Sequence, residues 1–183
     1  MNKKFKNVSG TFKLGICFAG ILAYTGGSYA SDGRVSAEAF ELKITEETLG
    51  GSEIMAGEYA AAIETILTTA SLDSKYDKST NLCAAYTAQK EFGLAEHQCH
   101  LSLRLSESAN VNAHLSGRSY LARREGKAVA LINLGVLHAL QGNNQEAREY
   151  FESASKKSKR LRATSKRNIN SLDTRMDSQI ASS

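Results

Sequence analysis

Apolar residues in this chain recur at helical spacing. Between Ala128 and Ala154, Leu131, Leu134, His138 and Leu140 step by about three or four, and Ala147, Tyr150, Phe151 and Ala154 do the same. Gly142-Asn143-Asn144 separates the two runs, so the stretch predicts a helical hairpin. Gly135 falls inside its first helix, where glycine costs about 1 kcal/mol against alanine. Close approach of another backbone would explain it, with Ala147 the expected neighbour across the turn.

The pattern returns twice upstream. One copy runs through Asn81-Leu82-Cys83, Tyr86, Phe92, Ala95 and Cys99, and a weaker one through Leu49-Gly50, Gly57, Tyr59, Ala62-Ile63 and Ile66. The equivalent alanines Ala62, Ala95 and Ala147 lie 33 and then 52 residues apart, so the second gap is one period plus an insertion. The polar run 106–120, SESANVNAHLSGRSY, supplies that insertion. Strand-like alternation is absent, which predicts an all-α fold for residues 43–172.

With its Leu131, Asn133-Leu134-Gly135, Gly142, Ala147, Phe151 and Ala154, the last copy resembles a tetratricopeptide repeat, and the resemblance extends over about residues 43–160. Departures are the lack of any proline, Cys83 in place of the usual small residue and His138 where an aromatic is common. The resemblance implies a short solenoid of about three antiparallel hairpins with a C-terminal capping helix. It also implies a concave groove, lined by the first helix of each hairpin, that receives an extended peptide or a partner helix. The matching positions include Asn81 and Ala84 in the middle copy and Val129, Ile132, Asn133 and Val136 in the last. Asn81 and Asn133 are equivalent and suited to holding a ligand's backbone. The rest of the last copy's face is apolar, so either a hydrophobic partner sits there or residues 31–42 or the insertion cover it.

Around this domain the reading is simpler. Residues 31–42 are expected to form a flexible start, or a short helix near Ala37-Phe40-Leu42. Thr45 is the expected N-cap of the first helix, with Glu46-Glu47 in its first turn. A capping helix is expected through Leu161 and Ile169, and residues 173–183 form a frayed, flexible tail.

Residues 1–30 read as a signal peptide. Lys3, Lys4, Lys6 and Lys13 precede an apolar run of 11 residues, Leu14 to Tyr24, and Ser28-Tyr29-Ala30 places small residues where a signal peptidase cuts. The run is short of the ~20 residues of a membrane anchor. Ile16 before Cys17 does not fit a lipid-modified cysteine. Cleavage after Ala30 and a periplasmic or secreted location follow. Removing four lysines leaves 19 basic and 19 acidic residues, so the precursor's pI of about 8.9 makes no case for nucleic acid.

Export would place Cys83 and Cys99 in an oxidising compartment. They lie eight residues either side of Glu91, near the expected turn, and so face each other across a helix pair. A disulfide is expected there, the alternative being two buried thiols. His97, Cys99 and His100 lack a fourth ligand, and no metal is expected. No phosphate-cradling loop, nucleophile elbow or His-Glu-x-x-His is present, so neither an enzyme nor a cofactor is implied.

Charge is segregated. Residues 31–116 hold 13 acids and 6 bases; residues 117–183 hold 6 acids and 13 bases. Lys156, Lys157, Arg160, Arg162, Lys166 and Arg167, with Lys159, form a basic patch expected on one helix. The expected function is an adaptor binding a protein or peptide through the concave face. The alternative is a peripheral protein contacting an anionic membrane surface through 156–167.

Overall fold

The structure is a computed structural model that describes residues 35–108 and 119–181, with side chains from 124 onward in the second span. The expected signal peptide and most of the 106–120 insertion lie outside the described residues. Seven helices dominate those residues: α1 (Gly51–Met55), α2 (Tyr59–Thr68), α3 (Lys75–Ala88), α4 (Phe92–Glu107), α5 (Ser119–Gln141), α6 (Asn144–Lys157) and α7 (Arg162–Ala181). A two-stranded antiparallel hairpin, β1 (Ser36–Ala37) and β2 (Phe40–Glu41), precedes them, with Ser36 opposite Glu41 and Ala37 opposite Phe40.

The helices pair as α1/α2, α3/α4 and α5/α6, and α7 caps the stack. Helices α1, α3, α5 and α7 also contact their counterparts in turn, so they share one face. Ser74 starts α3 by accepting the Asp77 N–H, a side-chain N-cap. Gly142, at φ 86°, turns α5 into α6 in the left-handed conformation that glycine adopts without strain. Gly135 admits close approach, but to Phe151 and not Ala147: a Cβ there would lie 2.5 Å from the Phe151 ring. Cys83 and Cys99 are bonded across α3 and α4, with Cα atoms 4.8 Å apart.

The expected flexible start is ordered from residue 35. Val35, Ala37, Phe40 and Leu42 are buried in one cluster with Val136, Phe151 and Leu172, and the Phe40 ring lies 6.4 Å from that of Phe151. The hairpin turn places Glu38 at φ 54°, and Lys90 and Arg175 both pair with its carboxylate.

Three further expectations are corrected. Thr45 caps no helix, because its backbone is bound by Asn81 and the left-handed Gly50 (φ 77°) delays α1 to Gly51. Residues 173–181 continue α7, where Leu172 is buried, Met176 packs on the core and Arg175 donates to the Ala139 carbonyl. The basic run does not form one helix: α6 ends at Lys157, Ser158 Oγ accepts the Leu161 N–H, and α7 begins at Arg162.

Candidate functional site

The shared face of α3, α5 and α7 is filled by residues 40–45 of the chain itself. Asn168 on α7 accepts the Glu41 N–H at 2.8 Å and donates to its carbonyl at 3.0 Å. Asn133 on α5 treats Lys43 in the same way, at 2.8 and 2.7 Å. Asn81 on α3 accepts the Thr45 N–H at 2.9 Å and donates to its carbonyl at 3.1 Å, and also donates to Thr48 Oγ1 and the Leu49 carbonyl. Three side-chain amides thus bind both backbone groups of residues 41, 43 and 45. A period of two is that of extended chain, whose alternate residues face the same way.

These amides have little access to water. Asn81 and Asn133 are fully buried and Asn168 is 1 % exposed. A buried amide without partners costs about 1–3 kcal/mol, so pairing with the strand removes the penalty on both sides. The bound segment serves as a strap across three helices.

Side chains of the strap make polar contacts as well: Thr45 Oγ1 donates to Asn81 Oδ1 at 3.1 Å, and Glu41 makes the most. Glu41 is buried, and its carboxylate accepts from Arg167 Nε at 3.0 Å, Arg167 Nη2 at 2.6 Å and Thr164 Oγ1 at 3.2 Å, as well as from the Lys43 ammonium. Arg167 also donates to Thr164 Oγ1, which joins the two α7 residues. Burial pushes the Glu41 carboxyl up, but hydrogen bonds and charge from Lys43 and Arg167 outweigh it and hold it below the ordinary carboxylate value.

The expected groove residues therefore divide. Asn81 and Asn133 hold backbone, but the backbone is the chain's own. Ala84 and Val136 are buried in the cluster that surrounds the strap. Ile132 is buried in a different cluster with Ala128, Leu131, Ala154 and Leu161, against which the half-buried Val129 packs. An open apolar groove is not what these residues form, because Phe40 and Leu42 occupy it. Asn168 was missing from the expected set. Its signal is its position 35 residues after Asn133, about one repeat period.

The basic residues lie apart from the ladder, with one exception. Arg167 belongs to the Glu41 site, and Arg160 pairs with Glu125 at 2.9 Å. Lys156, Lys157, Lys159, Arg162 and Lys166 are exposed. Elsewhere, the His138 ring lies 5.1 Å from that of Tyr150 at a tilt of 34°, and burial lowers its basicity. Among the described residues, no group of three His, Cys, Asp or Glu side chains is placed to hold a metal. Nor is any described helix long and apolar enough to cross a membrane. Comparison with protein-family models, with curated proteins and with solved structures gave no match.

Proposed function

We propose that this chain is an exported tetratricopeptide-type adaptor whose concave face binds polypeptide in extended form, with residues 35–45 as the resident ligand. The observation that carries the reading is the ladder of Asn81, Asn133 and Asn168, each holding the N–H and carbonyl of an alternate residue. Such a ladder recognises backbone and accepts varied side chains, as a face for exchangeable strands requires. Export is supported by the pattern of residues 1–30 and by the Cys83–Cys99 bond, which suits an oxidising compartment.

The test is strand exchange. A specific protease site inserted between the exposed Glu46 and Glu47 lets the full chain fold before its strap is cut from the helices. A labelled synthetic peptide with the sequence of residues 35–46 is expected to replace the strap, read as a rise in anisotropy. Methylating the peptide nitrogen at the Lys43 position removes the proton that Asn133 accepts and is expected to abolish exchange. No exchange over several days, or equal exchange of the methylated peptide, would defeat the reading.

A second reading is supported by the five exposed cations Lys156, Lys157, Lys159, Arg162 and Lys166. It has this end of the molecule resting on an anionic membrane surface, and it is compatible with the first.

A further inference from the structure

We infer that the groove is selective for a strand carrying an acidic residue between two apolar ones, in the places of Phe40, Glu41 and Leu42. The inference rests on the strand-binding reading above and supplies what that reading lacks. An amide ladder sees only backbone and cannot choose among sequences. Choice must come from side chains that the face recognises separately.

Residues 40–42 are where it does so out of water, whereas the pairing of Glu38 with Lys90 and Arg175 is exposed. Phe40 and Leu42 are 1 % and 2 % exposed, so an incoming strand needs apolar groups of similar bulk at both places. Between them the Glu41 carboxylate meets the Arg167 guanidinium through two nitrogens, and the Thr164 hydroxyl. Arg167 and Thr164 belong to α7 and remain when the strap leaves, whereas Lys43 leaves with it. The receptor therefore keeps a cation and a hydroxyl facing this place. A paired guanidinium is a strong, directional receptor for a carboxylate. A lysine there would set like charges together at a site where the Glu41 position is buried and Arg167 is half exposed, and a glutamine would leave the cation without its counter-charge.

The site also sits at one end of the ladder. Asn168, on the same helix, binds the backbone of the residue whose carboxylate Arg167 holds. Backbone and side chain of one residue are thus read together, which fixes the register of the whole strand: a shift of one residue would bring the acid away from Arg167 and Phe40 away from its cluster.

The experiment uses the nicked full chain and three labelled peptides with the sequence of residues 35–46: unchanged, Glu41→Gln and Glu41→Lys. The unchanged peptide is expected to bind about tenfold more tightly than the Gln form, with the Lys form weaker again. In a nicked Arg167→Glu chain the order of the Glu and Lys peptides is expected to invert. Equal binding of all three peptides would overturn the acid selectivity while leaving strand binding intact. Failure of every peptide to exchange would overturn both. Should Arg167→Glu not fold, the peptide series on the otherwise unmodified chain decides alone.

Discussion

The face under the strap and the basic end of the molecule both carry polar side chains, yet water treats them differently. Under the strap, Asn81, Asn133 and Asn168 are buried and every backbone group they reach is paired. At the basic end, Lys156, Lys157 and Lys159 are exposed, and the charge is spread over the end of α6, a short link and the start of α7. Polar residues are therefore structural where a second segment removes them from water. Where none does, they are available to outside partners.

That contrast gives an order of effects. Asn133→Ala is expected to cost about 2–3 kcal/mol, measured by denaturant unfolding, because it leaves the N–H and carbonyl of Lys43, on the inner side of the strap, without partners. A loss below about 0.5 kcal/mol would mean that the strap contributes no more than a surface loop.

Glu41→Gln comes next, at about 1 kcal/mol near neutral pH. The sign follows from the lowered carboxyl. The native state binds its proton less readily than the unfolded chain, whose ordinary value is 4.5. The stabilisation is full above that value and is lost as pH falls through the native one. The difference between the two proteins should therefore shrink on acidification, and a pH-independent difference would break the comparison.

The smallest effect is expected at the basic end. Lys156→Glu with Lys157→Glu should change stability by less than about 0.5 kcal/mol, since both side chains are exposed. If this end rests on anionic lipid, the same pair should weaken sedimentation with phosphatidylglycerol vesicles, most clearly at low salt. Unaltered sedimentation would remove the membrane reading.

The sequence carried the hairpins and the cysteine pair well, because both are local patterns: amphipathic runs, a turn and two cysteines symmetric about it. Asn81 and Asn133 were legible as holders of backbone. What they hold was legible only as one alternative, residues 31–42 covering the apolar face, and the bound residues 43 and 45 lie just beyond that span. SAEAFELKIT is a short run in which Phe40, Leu42 and Ile44 alternate with polar residues, and its partners Asn168 and Asn133 are 127 and 90 positions away from the residues they bind. The order of residues 173–181 depends on Leu172 and Met176 reaching a cluster that the strap helps to build, so missing one hid the other. The basic run looked continuous because Lys and Arg favour helix; the break at Ser158 rests on a hydrogen bond to Leu161.

The ladder also orders events in time. Residues 41–45 are synthesised before every helix, yet their three partners appear in the reverse of strap order: Asn81 first, Asn133 later and Asn168 after about 125 further residues. The strap must therefore close from Thr45 back towards Glu41, and its last clasp joins the two ends of the fold. Because Val136, Phe151 and Leu172 come so late in the chain, Phe40 and Leu42 stay uncovered until nearly the whole chain exists.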